Sequence, residues 1–297
     1  MKKKILIIGG TGFIGFHIAQ KLIKKKYIVF SLSLKKPIKT RFLRGVKYLF
    51  ADTSDFKNLK QKISLNFDYV LNASGNIDHK NKDMTYSSHY KGLKNLVNIF
   101  KKKKIKAFIQ LGSSLENGNT LSPQKETLKC RPKSHYSRAK LQATKYIIKN
   151  KKFPYIILRL YQIYGPNQKT DRLIPYIISS CVKNLKFSCT EGIQKRDFLF
   201  IDDLSNLISK IIKKNKIKKG IYNVGSGKPK KIKSLINDIQ SSINKGFPQY
   251  GKIKMRKDEI LNLYPDIKKT TETFSWKPRI KLKDGLSRTI RFYEKKK

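Results

Sequence analysis

Tyr136 and Lys140 are the residues whose types and spacing most directly suggest chemistry, because they read Y-x-x-x-K inside a stretch with a helical pattern. Residues four apart on a helix lie on the same face, so both side chains could act on one small region. A nearby ammonium group lowers the pKa of a phenol, and such a phenol can exchange a proton with a hydroxyl group. The same pair also fits a packed tyrosine beside a solvated lysine, so it needs support from other residues.

A serine upstream of this pair could complete a catalytic group. Gly112-Ser113-Ser114 ends an apolar run that begins at Ala107. The Ser113 hydroxyl could hydrogen-bond the reacting oxygen of a substrate. The alternative is a serine that caps a turn or a short helix.

A glycine-rich turn near the start of the chain predicts a second kind of site. Residues Gly9 to Gly15 read G-G-T-G-F-I-G directly after the apolar run Ile5–Ile8. We expect Gly10 and Gly12 to take backbone torsions that other residues resist, and Gly15 to let the following helix approach the strand. Unpaired N–H groups and the positive end of the helix dipole then favour a diphosphate. The flanking strand and helix favour a dinucleotide site over a plain tight turn.

The elements that must position these residues alternate between strand and helix through the first half of the chain. Such alternation predicts a parallel sheet covered on both faces, with ligands bound beyond the carboxyl ends of its strands. Strands are predicted at Ile5–Ile8, Ile28–Leu32, Lys47–Phe50, Tyr69–Asn72, Ala107–Leu111 and Tyr155–Leu160. Helices are predicted at Phe13–Lys24, Phe56–Ile63, Ser88–Lys102 and Tyr136–Lys149.

After Gly165-Pro166 the alternation becomes less regular, which predicts a second, smaller lobe over the strand ends. The expected fold class is α/β, a Rossmann-type doubly wound parallel sheet with a smaller C-terminal substrate-binding lobe. We expect residues 1–165 to form the dinucleotide-binding domain, with residues 199–224 returning to it. Residues 166–198 and 225–297 would form the substrate-binding lobe. Further helices are predicted at Leu173–Val182, Asp203–Lys213 and Ile232–Ile243.

The motifs in this order resemble the extended short-chain dehydrogenase/reductase family, the NAD(P)-dependent nucleotide-sugar epimerases and dehydratases. The resemblance runs nearly from end to end of the chain. It is carried by the glycine turn, Asp52, Asn72-Ala73-Ser74-Gly75, Gly92 with Asn95, Ser113, Tyr136 with Lys140, Arg159–Pro166, Arg196–Asp203, Tyr222–Gly227 and Trp276-Lys277-Pro278.

This resemblance implies roles for individual residues. Tyr136 would be the acid/base on a sugar hydroxyl, Lys140 would hold the nicotinamide ribose and lower the phenol's pKa, and Ser113 would bind the sugar oxygen. Arg196 would meet the substrate diphosphate, as would Arg256 by a looser match. The residues expected to bind cofactor are Gly9, Gly12, Phe13, Ile14, Gly15, Ser33, Lys35, Asp52, Thr53, Asn72, Ala73, Ser74, Tyr136 and Lys140.

Three departures from the family pattern carry information. An NAD enzyme would place an acid at the end of the second strand, where this chain has Ser33 followed by Lys35. A hydroxyl and an ammonium accept a 2′-phosphate, so NADP is slightly favoured over NAD. The dehydratases of the family carry an acidic pair directly after the catalytic serine or threonine. Glu116 lies one place too far along the chain to belong to that pair, which argues against sugar 4,6-dehydration. Gln162 stands where relatives often carry asparagine at the substrate, so the sugar preference could differ.

Composition limits the partners and the compartment. The chain has 297 residues and a formal net charge of +49, but its lysines are spread over helix ends and loops, which argues against a nucleic-acid partner. Three cysteines without C-x-x-C spacing suggest a reducing compartment and no metal site. The first apolar run is too short for a secretory signal, and no stretch reaches the ~18–20 residues of a membrane span. We therefore expect a cytoplasmic protein.

The expected function is hydride transfer between a nicotinamide and a carbon of a nucleotide sugar, with C4 the first candidate. A 4-epimerase and a 4-keto reductase both remain open, and either product could serve polysaccharide biosynthesis. The alternative is a non-catalytic protein of the same fold that senses NADP or binds nucleic acid. The resemblance also suggests a homodimer. His79, His89 and His135 are interpreted as structural or surface residues.

Overall fold

The computed structural model describes residues 2–76, 81–214, 217–256 and 259–295, and a seven-stranded sheet lies at its centre. Its strands are β1 (Lys4–Ile8), β2 (Ile28–Ser33), β3 (Val46–Phe50), β4 (Tyr69–Asn72), β5 (Ala107–Ser113), β6 (Tyr155–Leu160) and β10 (Gly220–Val224). In space the order is β10, β6, β5, β4, β1, β2, β3, and every neighbouring pair is parallel. The order reverses between β1 and β4, which is where such sheets bind ligands.

The sheet is buried on both faces because its strands are apolar at consecutive positions. Side chains along a strand alternate between the two faces. Ile5 and Ile7 of β1 enter one hydrophobic core, Leu6 and Ile8 enter the other, and all four are fully buried. This explains why the strand reads as a continuous apolar run instead of an alternating one.

Helices cover each face of the sheet. The helices are α1 (Phe13–Lys24), α2 (Phe56–Lys62), α3 (Lys82–Tyr86), α4 (Gly92–Phe100), α5 (His135–Lys149), α6 (Leu173–Val182), α7 (Ile201–Lys213), α8 (Ile232–Ile243), α9 (Lys268–Phe274) and α10 (Leu282–Glu294). Helices α1 and α7 contribute to the core that contains Ile5 and Ile7. Helices α2, α4 and α5 contribute to the opposite core.

The C-terminal part of the chain forms two further sheets. In the larger, β9 (Lys195–Phe200) pairs with β7 (Gln162–Tyr164), β11 (Pro229–Lys231) and β13 (Asn262–Leu263). In the smaller, β8 (Lys186–Ser188) pairs with β12 (Phe247–Gln249). Helices α6, α8 and α10 pack together beside these sheets, and their apolar residues belong to the same core as α1 and α7. One hydrophobic core therefore continues from the large sheet into this region.

The short strands β7, β8, β11, β12 and β13 were not predicted, and among the helices two regions differ most from the sequence prediction. Instead of one helix over Ser88–Lys102, a helical segment begins at Lys82, and a π-helical turn at Ser87–Lys91 separates α3 from α4. The π-turn occurs where His89 is buried and where Gly92 leaves room for the Thr53 hydroxyl. Helices α9 and α10 were not predicted, although Leu286, Ile290 and Tyr293 have the spacing of a buried helix face.

None of the helices in the described part of the chain combines the length and the apolar character that crossing a bilayer requires.

Candidate active site

The glycine turn after β1 is packed so closely that side chains would not fit. Gly9 has φ +78°, and a Cβ there would lie 2.9 Å from the backbone of Ala73. A Cβ at Gly10 would lie 2.4 Å from the Ser31 hydroxyl, and one at Gly15 would lie 2.3 Å from the Gly9 carbonyl oxygen. Positions 10 and 15 therefore require glycine because a side chain has no room there, and not because the backbone φ angle is positive.

The torsions expected at Gly10 and Gly12 are therefore a wrong prediction. Among the glycines of this turn only Gly9 has positive φ, whereas Gly12 has φ −74° as the N-cap of α1. The reason is that the chain reverses at Gly9, one residue earlier, and enters the helix in an ordinary extended conformation at Gly12. A Cβ at Gly12 would lie 3.2 Å from the Gly9 carbonyl oxygen, a tight but smaller conflict.

The N-terminus of α1 has the properties of an anion site. Gly12 provides no side-chain cap, and the first turn, which contains Phe13 and Ile14, carries no acidic residue. The first N–H groups of a helix have no partner within the helix, and the dipole is positive there. A backbone cradle without side chains beside this terminus suits a diphosphate. These residues therefore fit the dinucleotide that the glycine pattern predicts.

The residues expected near the adenosine lie after β2 and β3. Ser33 is buried, and its hydroxyl accepts a hydrogen bond from Thr11 N at 3.2 Å. Lys35 is exposed. The Asp52 carboxylate accepts from Ser54 N and Oγ, both at 2.8 Å, and the Thr53 carbonyl accepts from Asn95 Nδ2 at 2.9 Å. Ser33 is thus fixed to the glycine turn, while Lys35 remains at the surface.

Asn72, at the end of β4, orders the segment that faces the glycine turn. Its Oδ1 accepts from Ser74 N at 3.1 Å and from Ser74 Oγ at 2.6 Å. Its Nδ2 donates to Gln110 Oε1 on β5 at 2.9 Å. Ala73 and Ser74 therefore lie beside Gly9 in a fixed conformation.

The structure brings Ser113, Tyr136 and Lys140 together beyond the end of β5. Ser113 lies close enough to Tyr136 for its side chain to lower the pKa of the phenol, and its Oγ accepts a hydrogen bond from Leu115 N at 3.2 Å. Lys140 Nζ donates to the Leu111 carbonyl at 2.9 Å and lies 5.9 Å from the centroid of the Tyr136 ring. Ser113 therefore both caps a turn, as the alternative interpretation had it, and contacts the candidate acid/base.

The pKa expected for the Tyr136 phenol is wrong. Burial raises the pKa of Tyr136 to about 12; the Ser113 side chain opposes this, the Glu116 carboxylate adds to it, and Arg172 opposes it. Burial lowers the pKa of Lys140 to about 8, against the opposing effect of Glu116. Lys140 does not lower the phenol's pKa here because its own pKa of about 8 leaves the amine uncharged at the pH where the phenol would ionise.

Three neighbours of this group were not predicted from the sequence. They are Glu116, whose carboxylate lies beneath Ser113, Arg172 at the N-terminus of α6, and His89, whose ring contacts Tyr136. The pattern S-x-x-E at Ser113–Glu116 is a capping-box signature and could have located Glu116. No sequence pattern distinguishes Arg172 from the many other lysines and arginines of the chain, so its place near Tyr136 could not be predicted. His79 lies outside the described residues, and His135 is exposed at the first position of α5.

The residues expected to contact substrate lie in the C-terminal sheets and loops. Gln162 is exposed on β7. Arg196 on β9 is 9% exposed and forms an ion pair with Glu259 through Nη2. Burial lowers the pKa of Arg196, and Glu259 opposes that shift. Arg256 is exposed, and its backbone carbonyl accepts a hydrogen bond from the Glu259 backbone N–H at 3.1 Å. Glu259 therefore contacts Arg196 through its side chain and Arg256 through its backbone.

Comparison with known proteins agrees with this arrangement. Residues 5–225 match the sequence model of the NAD dependent epimerase/dehydratase family. A putative UDP-glucose 4-epimerase of Methanocaldococcus jannaschii is 30% identical over 304 residues, covering 96% of this chain and 97% of the relative. CDP-abequose synthase of Salmonella muenchen is 25% identical over 305 residues, with 99% of both chains covered. The structure of UDP-glucose 4-epimerase from Thermotoga maritima with UDP-glucose has a TM-score of 0.91 and 22% identity over 99% of both chains.

These similarities confirm the predicted Rossmann-type α/β fold class. They favour an enzyme that modifies nucleotide sugars over the alternative, a non-catalytic binding protein with the same fold. The chain belongs to the NAD-dependent epimerase/dehydratase family, the extended short-chain dehydrogenase/reductase type that its motifs resemble.

Proposed function

We propose that the protein is an NAD(P)-dependent nucleotide-sugar epimerase or 4-keto reductase that transfers hydride at a sugar carbon, with C4 the first candidate. One observation carries the proposal. Ser113, Tyr136 and Lys140 lie together beyond the carboxyl end of β5, and the glycine cradle lies at the same edge of the sheet. A phenol beside a dinucleotide cradle can move the hydroxyl proton while the nicotinamide takes or gives the hydride.

In this proposal Tyr136 Oη moves the hydroxyl proton of the sugar. When the alcohol is oxidised, the phenolate takes the proton; in the reverse direction the phenol returns it to the forming alkoxide. Ser113 donates a hydrogen bond to the same sugar oxygen and fixes its position. The nicotinamide, when bound, supplies the hydride acceptor or donor, and its oxidised ring carries a positive charge.

The raised pKa of Tyr136 adds a requirement to this scheme. With a pKa of about 12 the phenol is protonated near neutral pH, so it is ready to act as an acid. Acting as a base requires added positive charge near the phenol, which lowers its pKa. Arg172 already acts in that direction. Lys140 would do the same if its ammonium turned from the Leu111 carbonyl toward the phenol and the ribose.

The proposed cofactor is NADP in preference to NAD, because the end of β2 carries Ser33 where an NAD enzyme would carry a carboxylate. The cradle residues Gly9, Gly12 and Gly15 would hold the pyrophosphate together with the first turn of α1. Ser33 and Lys35 would meet the adenosine ribose or its 2′-phosphate, and Asp52 with Thr53 would lie at the adenine. Ala73 and Ser74 would border the nicotinamide half.

The proposed substrate is a nucleotide sugar bound between the large sheet and residues 166–198 and 225–297. Arg196 and Arg256 would bind its diphosphate, since guanidinium groups pair well with phosphate oxygens. Gln162 would lie at the sugar. The relatives include a protein named as a putative UDP-glucose 4-epimerase and a CDP-abequose synthase, so UDP and CDP sugars are the first to test. A homodimer is proposed by resemblance alone, as is a role in polysaccharide biosynthesis.

The test has two steps. Mass spectrometry of the purified protein identifies any retained cofactor: retained NAD favours the epimerase, and an empty protein that takes up NADPH favours the reductase. The protein is then incubated with UDP-glucose, CDP-glucose and dTDP-glucose in the presence of NAD, and with 4-keto sugar nucleotides in the presence of NADPH. We expect turnover in one arm, lost in Tyr136→Phe with cofactor binding retained. Full turnover in Tyr136→Phe, or the absence of nicotinamide binding, would contradict the proposal.

A further inference from the structure

Glu116 is a fully buried carboxylate directly beneath the candidate catalytic serine. It is 0% exposed. Its Oε1 accepts a hydrogen bond from Ser113 N at 2.8 Å. Its Oε2 accepts from Thr144 Oγ1 at 2.8 Å and from Arg159 Nε at 3.1 Å. Both carboxylate oxygens are therefore used, and no other acidic side chain in the described part of the chain contacts the Ser113 backbone.

The Arg159 guanidinium completes the contacts of this carboxylate. Arg159 is 2% exposed, and its Nη1 donates to Asn117 Oδ1 at 2.8 Å, while Nη2 donates to Cys130 Sγ at 3.2 Å. Removing two charges from water has a large cost, so a buried ion pair is weak support for stability alone. A buried pair placed under a catalytic group suggests a role other than stability.

The three partners of Glu116 lie on three different elements. Ser113 ends β5, Arg159 lies on β6, and Thr144 lies on α5. Thr144 follows Lys140 by four residues and Tyr136 by eight, so the three share one face of the helix. A single carboxylate therefore fixes the helix that carries Tyr136 and Lys140 relative to the strand end that carries Ser113.

The backbone beside Glu116 is adapted to hold the carboxylate. A Cβ at Gly112 would lie 2.6 Å from Glu116 Oε1. Glycine at this position therefore leaves the space that the carboxylate occupies. The space left by Gly112 is an observation separate from the hydrogen bonds, and it also indicates that the chain is built to hold the Glu116 carboxylate at this position.

We propose that Glu116 is a positioning residue that sets the distance between Ser113 and the Tyr136–Lys140 face of α5. The proposal rests on the proposed function, in which Ser113, Tyr136 and Lys140 act on the substrate. Glu116 itself touches no reacting atom. It acts through the Ser113 main chain and through Thr144.

The charge of Glu116 provides a readout that a purely structural role would not move. The charged and titratable groups that face Glu116 are Arg159 from β6 and Tyr136 and Lys140 from α5. Arg172 from the start of α6 and His89 from the π-helical turn face Tyr136, and Cys130 lies beyond Arg159. The carboxylate raises the pKa of both Tyr136 and Lys140. Its removal should therefore lower both pKa values.

The experiment compares wild type with Glu116→Gln, Thr144→Val and Thr144→Ser, all checked for folding by thermal unfolding. The kinetic probe is the nucleotide sugar of the panel above that the wild-type enzyme turns over. For Glu116→Gln we expect kcat to fall by about tenfold to a hundredfold, with little change in KM, because small displacements of reacting groups have effects of that size. The apparent pKa of the pH–rate profile should fall by about one unit.

The threonine variants keep the proposal testable if Glu116→Gln folds poorly. Thr144→Val removes only the hydroxyl that ties α5 to the carboxylate, whereas Thr144→Ser keeps it. We expect kcat to fall by about threefold to tenfold in the valine variant, with no shift of the pH profile, and to recover in the serine variant. Equal kcat values in the two threonine variants would overturn the proposal.

A second readout needs no turnover. NMR titration of protein labelled at the lysine ε-carbons, with Lys140 assigned through Lys140→Arg, measures the pKa of Lys140, which is about 8. We expect that value to fall in Glu116→Gln and to stay the same in Thr144→Val. An unchanged value together with unchanged kcat in Glu116→Gln would overturn the proposal. Turnover in Tyr136→Phe would instead contradict the proposed function, and the titration would still decide the role of Glu116.

Discussion

The imidazole of His89 meets the phenol ring of Tyr136 edge to face, with ring centroids 5.0 Å apart and ring planes at 80°. His89 comes from the π-helical turn before α4, and a hydrogen bond of 3.0 Å joins its Nε2 to the Asn76 carbonyl. A Cβ at Gly75 would lie 2.0 Å from His89 Cε1. The segment after β4 therefore reaches the candidate acid/base through one buried ring.

Replacement of His89 should separate ring packing from hydrogen bonding. We expect His89→Ala to lose about 1–3 kcal/mol of unfolding free energy and to lower kcat, because the phenol loses the ring that packs against it. His89→Phe keeps an aromatic edge and should retain most of the turnover. Chemical denaturation and steady-state kinetics measure both effects. Wild-type kcat in the alanine variant would contradict a role for the ring in holding Tyr136.

The glycine turn offers a matched pair of alanine variants. Gly15→Ala places a Cβ 2.3 Å from a backbone oxygen that cannot move aside, so we expect a large loss of stability. Gly12→Ala meets the same oxygen at 3.2 Å with φ −74°, so the protein should still fold. Its added methyl group would lie in the proposed pyrophosphate cradle and should weaken nicotinamide dinucleotide binding by about tenfold or more. Thermal unfolding and calorimetric titration with NAD and NADP check both variants; undiminished binding in Gly12→Ala would remove Gly12 from the site.

The raised pKa of Tyr136 predicts how stability depends on pH. In the unfolded chain the phenol has its ordinary pKa of 10, and in the folded protein about 12. The unfolded chain therefore loses its proton first, so this contribution to stability is present below pH 10 and is lost as pH rises toward 12. Urea unfolding of wild type and Tyr136→Phe at about pH 9 and about pH 11 tests this. We expect wild type to lose more stability than the phenylalanine variant, and equal losses would show that the phenol is not shifted.

Glu259 should compete with substrate for Arg196. The two side chains form an ion pair in the structure, so a diphosphate must replace a carboxylate that is already bound. We expect Glu259→Gln to tighten binding of UDP by several fold and Arg196→Met to weaken it by about tenfold or more, since charge-assisted bonds to phosphate are strong. Isothermal titration with UDP measures both. If UDP affinity is the same in Arg196→Met as in wild type, Arg196 does not bind the diphosphate.

The fold could be predicted from sequence where the hydrophobic pattern was long and unbroken. The helices at Phe13–Lys24, Leu173–Val182 and Ile232–Ile243 have the predicted bounds. The segment before Gly92 was harder, because a π-helical turn depends on the packing of His89 against another segment. Helix α10 was harder to predict because Lys283, Arg288 and Arg291 stand among its apolar positions along the sequence.

The sequence was enough to identify the residues of the candidate site, but not the pKa values of their side chains. Ser113, Tyr136 and Lys140 were identified from motif and spacing, and the structure places them together. The direction of the Tyr136 pKa shift depends on burial and on Glu116, which only the tertiary structure reveals. From the sequence, Glu116 could be compared only with the acidic pair of a family motif, which it does not match. Its partners Thr144 and Arg159 are distant in sequence, so no local pattern joins them.

Strand β10 lies at the edge of the large sheet, although two strands of the second sheet, β7 and β9, come before it in the chain. Strand β10 pairs with β6. Within it, the Asn223 carbonyl accepts a hydrogen bond from Thr270 Oγ1, and the Asn223 N–H donates to the Glu126 carboxylate. A fragment that ends at residue 165 would lack this strand and would expose the edge of β6, a ready template for pairing with other chains. Truncation at residue 165 should therefore give an aggregation-prone fragment, and calorimetry of the whole chain should show a single cooperative transition.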